Sequence, residues 1–149
     1  MGTLTPVQRL ALAALAALLL LVAAPTASAA PPTRGERALL APVNEARRAH
    51  GLRPVRLAWP LQDRSHRYAV RLLRTNAFQH ASLAPGVREN LVWATANVAG
   101  PRRLVRMWLH SPGHRANLLW RGARRAGVGV ARGAYRGHRD VRLAVLRLR

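Results

Sequence analysis

The sequence has no cysteine and no lysine, one phenylalanine, two tyrosines and only five acidic side chains among its 149 residues. Without cysteine there can be no disulfide scaffold, no thiolate zinc site and no thiol nucleophile. Export is still open, because a domain of about 120 residues can fold on hydrophobic burial alone. Without lysine, all 25 basic side chains are arginine. Genomic base composition is one reading of that choice and attraction to polyanions another; the two are compatible, because the net charge of +20 acts on its surroundings whatever its origin. It favours polyanions: nucleic acid, anionic lipid or acidic cell-wall polymer. With few aromatics between the arginines, such affinity would be non-specific rather than sequence-reading.

Half of the chain is apolar, but much of that half lies near the start. Arg9 precedes an uncharged stretch from Leu10 to Ala24, and Ala27-Ser28-Ala29 follows. A short basic region, an apolar segment and an A-x-A site describe a secretory signal peptide over residues 1–29, cleaved after Ala29. The apolar run is short against the roughly 20 residues that span a bilayer. Cleavage removes Arg9 alone among the charges and leaves all five acids (Glu36, Glu45, Asp63, Glu89, Asp140). Residues 30–35 read as a disordered leader, and residues 36–149 as one domain, expected to be monomeric. Export removes intracellular nucleic acid from the partners and leaves anionic lipid or envelope polymer.

Helical periodicity runs from Glu36 to His50, with Leu39, Leu40, Val43 and Ala46 on one face and Gly51 as the stop. Pro42 allows an alternative start at about Ala41. Leu52 to Trp59 is an extended connector. Leu61 to Asn76 is a second helix, facing inward through Leu61, Ser65, Tyr68, Ala69 and Leu72, with Arg64, Arg67, Arg71 and Arg74 on the solvated side. Glu89 to Trp93 is a short apolar segment. Pro101 opens a third helix, with Leu104, Val105 and Trp108 inward. Ser111-Pro112 reads as an N-cap and first-turn proline, opening a fourth helix through Leu119. Ala126 to Ala131 and Val141 to Leu148 are strands, joined by a turn over Arg132 to Gly137. Helices first and strands last point to an α+β class.

Four stretches carry a resemblance. Val43-Asn44-Glu45-Ala46-Arg47-Arg48-Ala49-His50-Gly51-Leu52 is similar to "VN-x-x-R-x-x-x-G-L", Phe78-Gln79-His80 to "F-x-H", and Glu89-Asn90-Leu91 to "G-E-N-I". Trp108-Leu109-His110-Ser111-Pro112-Gly113-His114-Arg115-Ala116-Asn117-Leu118-Leu119 is very like "W-M-x-S-P-G-H-R-x-N-I-L". Gly127-Val128-Gly129-Val130 follows like a "G-V-G" strand. In this order the stretches resemble the CAP superfamily (cysteine-rich secretory proteins, venom antigens and plant pathogenesis-related proteins), bacterial type. The resemblance implies a three-layer α-β-α sandwich with a small antiparallel sheet and a cleft lined by two histidines and two acids.

Carried over by position, the cleft holds His80, Glu89 and His114, with Ser111 where many members have a second Glu. Asn90, Trp108, Pro112, Gly113, Arg115 and Asn117 are the framework of the motif. Ser111 in place of Glu removes a carboxylate, Arg88 stands where Gly usually precedes Glu-Asn, and the usual C-terminal aromatic gives way to an arginine-rich strand. Two imidazoles and a carboxylate suit a zinc ion with water in the fourth position. They also suit acid/base chemistry with Glu89 orienting a histidine, or a purely structural role as neutral imidazoles. Ser111 is the neighbouring hydroxyl, expected to be engaged as a helix cap. The resulting expectation is a secreted, non-catalytic binding module whose cleft takes a metal ion or a small, lipid-like ligand. The rivals are a metal- or His/Glu-dependent hydrolase of peptide or cell-wall material and a binder of anionic envelope polymers through its arginine surface.

Overall fold

The computed structural model describes residues 31–149, so the signal-peptide reading of residues 1–29 lies outside the described residues. The first helix, α1, spans Arg34–Ala49. Thr33 caps it: its hydroxyl accepts from the Glu36 N–H at 3.2 Å, while Glu36 Oε2 accepts the Thr33 N–H at 2.8 Å. This reciprocal box fixes the helix start upstream of Glu36. It corrects two expectations: Arg34 and Gly35 are helical rather than part of a disordered leader, and the helix does not wait for Pro42, which is buried within it. At the far end Gly51 takes φ 66°, and the N–H groups of Gly51 and Leu52 close on the carbonyls of Arg48 and Arg47.

Two side chains of α1 staple the connector that follows. Asn44 brackets Val55, accepting its N–H at 2.8 Å and donating to its carbonyl at 3.0 Å. Arg47 is fully buried without a carboxylate partner among the described residues. Its guanidinium donates to the carbonyls of Arg53, Leu118, Trp120 and Ala123. Burial, and secondarily the charge of Arg124, lowers its pKa from the ordinary arginine value.

The connector contributes a two-residue strand, β1 (Arg56–Leu57), before α2 (Trp59–Arg74). Pro60 lies in the first turn of α2, so the helix begins two residues before Leu61. Then come β2 (Arg88–Thr95), α3 (Pro101–Leu109), α4 (Pro112–Leu118), β3 (Arg125–Tyr135) and β4 (His138–Leu148). The sheet order is β1-β3-β4-β2. β2, β3 and β4 are antiparallel, but β1 joins β3 in parallel, so the sheet is mixed rather than purely antiparallel. The turn expected over Arg132 to Gly137 shrinks to Arg136-Gly137, both at positive φ (48° and 81°), with Tyr135 paired to His138. Such a two-residue loop matches the twist of its strands, which therefore run further than the apolar pattern shows.

Strand alternation supplies two cores. Ala144, Leu146 and Leu148 of β4 join Leu39, Val43, Val92, Trp108 and Leu118 on the side of α1, α3 and α4. Val141, Leu143 and Val145 join Leu91, Ala69 and Leu72 beneath α2. The result is the expected α-β-α sandwich. The edge of β3 beyond the short β1 is satisfied by side chains. Gln62 donates to the Val128 carbonyl at 2.7 Å and accepts its N–H at 2.9 Å, and Glu36 Oε1 lies 3.4 Å from the Val130 nitrogen.

Candidate functional site

Glu89 and Arg147 are directly paired across β2 and β4, with Gly127 opposite Arg147 on β3. All three fall on the face covered by α2. The Glu89 side chain has no exposed surface and the Arg147 side chain only 8%. Arg147 Nε donates to Glu89 Oε2 at 2.9 Å. The other oxygen, Oε1, lies 2.9 Å from His80 Nδ1 and accepts the Ala81 N–H at 3.1 Å. A buried carboxylate is costly unless paired and hydrogen-bonded, and here both oxygens are engaged. The Arg147 guanidinium also lies 4.8 Å from the centre of the Tyr68 ring, whose hydroxyl donates to the Gln79 carbonyl at 2.8 Å. Arg147 and Tyr68 therefore help to hold the loop that carries His80.

His114 arrives from the other layer. Asn90 Nδ2 donates to the His114 carbonyl at 2.8 Å, and Asn117 Nδ2 donates to Asn90 Oδ1 and to the Glu89 carbonyl. The buried Trp108 anchors the preceding helix by donating from Nε1 to the Leu91 carbonyl at 3.1 Å. Asn90, Trp108 and Asn117 thus lock α3 and α4 onto β2. The ring centres of His80 and His114 stand 6.4 Å apart. Burial, and secondarily the nearby His80, holds the His114 imidazole below its ordinary pKa.

That direction fixes a sign. The folded state takes up the His114 proton less readily than the unfolded chain, whose histidine titrates at about 6.5. Stability contributed by the neutral ring is fully present above that value and lost as pH falls through it towards the lower folded pKa. Thermal unfolding at pH 7.5 and pH 5.0 should show a smaller acid-side loss for His114→Gln than for the parent chain. Equal losses would contradict the shift.

The remaining motif residues are less central. Pro112 occupies the first turn of α4, and Ser111 stands at its N-cap position, yet the Ser111 side chain makes no capping hydrogen bond. Ser111 instead lines an open concavity with Arg103, Arg106, Met107 and His110. The expected engagement of its hydroxyl as a cap is therefore corrected. Arg115 is exposed, and its guanidinium lies 3.2 Å from His50 Nε2. A Cβ at Gly113 would meet open space, so packing gives no reason for glycine there.

The donor set does not fit a resident zinc ion. Glu89 is committed to Arg147, Ala81 and His80, which leaves two imidazoles, and no group of three metal-ligating side chains occurs among the described residues. The Glu89 side chain is also wholly buried with both oxygens hydrogen-bonded, which keeps it from direct contact with solvent. Sequence reading missed Arg147, which is one of many arginines and hides its role in a cross-strand register. It also passed over His66, whose Nδ1 lies 2.7 Å from the buried carboxylate of Glu36.

A second concavity lies between α1 and α3. Gly35, Ala38, Leu39, Ala99, Leu104 and Val130 give it an apolar lining, and the side chains of Arg34, Arg132 and Arg142 complete a cavity of about 430 Å³. Arg132 is tied to Asp140 and Arg142 to the Ala99 carbonyl, while Arg34 has no carboxylate partner among the described residues.

Among solved structures, an outer surface protein from Borrelia burgdorferi is similar, with a TM-score of 0.57 and 17% identity over 80% of this chain and 96% of that one. Venom allergen-like protein 4 of Schistosoma mansoni gives a TM-score of 0.55 and 12% identity, over 76% of this chain and 88% of that one. A cysteine-rich secretory protein from Staphylococcus aureus gives a TM-score of 0.51 and 18% identity, over 79% of this chain but 40% of its own. At such identities these likenesses speak for the fold alone. No curated protein matches the sequence. The model of the CAP family, described as the cysteine-rich secretory protein family, matches residues 40–145. The match covers most of the sequence, and with the sandwich and the four motifs in register the chain belongs to the CAP family.

Proposed function

We propose that this protein is an exported, non-catalytic binding module that holds a small amphiphile, apolar in its body and anionic at its head, in the groove between α1 and α3. The observation that carries the reading is that groove: apolar walls and three guanidiniums around about 430 Å³. Ligand pockets of about 300–1,000 Å³ with apolar linings and a few placed polar groups are the common pattern. An aliphatic chain would lie against Ala38, Pro101 and Val130, the accessible part of the apolar lining, and a carboxylate or sulfate would meet arginine, whose fork suits oxyanions. The hydrolase reading has only a buried, hydrogen-bonded carboxylate in Glu89, and the metal reading has no third ligand among the described residues. Extracellular placement is supported by the family and by similar proteins whose names place them on an outer surface or among secretory proteins.

Calorimetric titration with dodecanoate tests the reading. The protein should bind it in the micromolar range, and Ala38→Trp, which fills the groove from the exposed side of α1, should weaken binding at least about tenfold, or about 1.4 kcal/mol. The folded His80→Ala/His114→Ala variant should bind as the parent does. Absence of binding, or equal binding by parent and Ala38→Trp, would overturn the groove. Loss confined to the histidine variant would return the ligand to the cleft.

A further inference from the structure

The outer side of α2 presents a different surface. His66, Arg67, Val70, Arg71, Arg74 and Thr75 line a recess of about 450 Å³. Arg64, Arg67, Arg71 and Arg74 recur three or four residues apart, so they form one stripe about 15 Å long at 1.5 Å rise per residue. All four are exposed. Asp63 lies 2.5 Å from Arg67, whereas Arg64, Arg71 and Arg74 have no carboxylate partner among the described residues. Like charges at this spacing disfavour the helix by themselves, so the fold carries a repulsion that a bound anion would relieve.

The wall of the recess is set from within. His66 Nδ1 is tied at 2.7 Å to Glu36, which is itself buried and locked into the cap of α1. His66 thus stands in a fixed position, while its side chain stays 42% exposed. The Thr75 hydroxyl donates to the Arg71 carbonyl at 2.9 Å, which leaves the guanidiniums as the donors of the recess.

We propose that the outer face of α2 is a binding site for a phosphate-chain polymer, with one phosphate seated in the recess between Arg71 and Arg74 and its neighbours running along Arg67 and Arg64. Guanidinium forks pair with phosphate oxygens in a bidentate manner. The four arginines follow the helix axis and border a concavity, which suits a linear polyanion rather than a flat membrane. This site is separate from the α1/α3 groove and does not depend on it.

The test is fluorescence anisotropy of a labelled linear polyphosphate at several salt concentrations. The full chain is compared with Arg71→Gln/Arg74→Gln and with Arg121→Gln/Arg125→Gln, which removes the same charge from exposed positions elsewhere. Circular dichroism checks that each variant is folded. The α2 pair should weaken binding about tenfold or more and lower the slope of log affinity against log salt by about 2, one for each guanidinium. The control pair should change affinity by less than about twofold, as an effect of net charge alone. Equal weakening by both pairs, or no binding, would overturn the site. Retention on phosphatidylglycerol vesicles without binding of polyphosphate would overturn it in favour of a lipid surface.

Discussion

Replacing Arg147 with Met should destabilise the folded domain by about 3–5 kcal/mol, the cost of breaking a buried ion pair from one side. Glu89 would keep its bonds to His80 and to the Ala81 N–H but lose the cation opposite it in the strand register. With no exposed surface on its side chain, the carboxylate has no water to replace that partner. The same change strips the cation from the Tyr68 ring and loosens the loop that leads to His80. Arg147→Lys should recover only part of the loss, because an ammonium cannot bond from the Nε position and stack as a plane at once. Glu89→Met/Arg147→Met should recover much of that loss, since apolar groups of similar volume often replace a buried pair without penalty, but should stay about 1–3 kcal/mol below the parent because the Ala81 N–H and His80 Nδ1 lose their acceptor. Urea unfolding of the single, paired and lysine variants measures all of this. A loss below about 1 kcal/mol for Arg147→Met would mean that the pair is screened as a surface bridge is.

The pair also shows where a linear sequence stops speaking. The Trp108-to-Leu119 motif, the first helix and the α+β class were legible because they rest on local periodicity and on residues contiguous in the chain. Glu89 and Arg147 lie 58 residues apart and meet only through β2–β4 register. One arginine among 25 carries no mark that it is buried, and the C-terminal strand reads as an arginine-rich departure until its alternation is seen against α2. Gln62 and Glu36 were hidden for a related reason. Each closes an open backbone group on the edge of β3, and the need for them arises only because β1 stops at Leu57. Periodicity found the helices to within a turn. It missed the capping box at Thr33, which decides where α1 starts, and the two-residue loop at Arg136-Gly137, which decides how long β3 and β4 are.

Gly129→Ala should prove as damaging as the loss of Arg147, by a different route. An added Cβ at Gly129 would stand 2.0 Å from the Ser65 carbonyl oxygen, and one at Gly127 would stand 2.2 Å from the Leu61 carbonyl. The obstacle is helix backbone, so no rotamer change can relieve it, and α2 must lift from the sheet. Overpacking ordinarily costs about 1–3 kcal/mol when side chains can yield. Here the displacement would also open the packing of Ala69 and Leu72 against Leu91 and Val145 and pull Gln62 from both backbone groups of Val128. A loss of about 3 kcal/mol or more is therefore expected, a large share of the roughly 5–15 kcal/mol that holds a domain together. Gly113→Ala supplies the contrast: its Cβ meets open space in a helix, where alanine is favoured over glycine by about 0.5–1 kcal/mol. Thermal unfolding should rank Gly113→Ala at or slightly above the parent and Gly129→Ala far below it. Similar midpoints for the two variants would mean that α2 does not ride on the glycines of β3, and that something other than the close approach of helix and strand requires them.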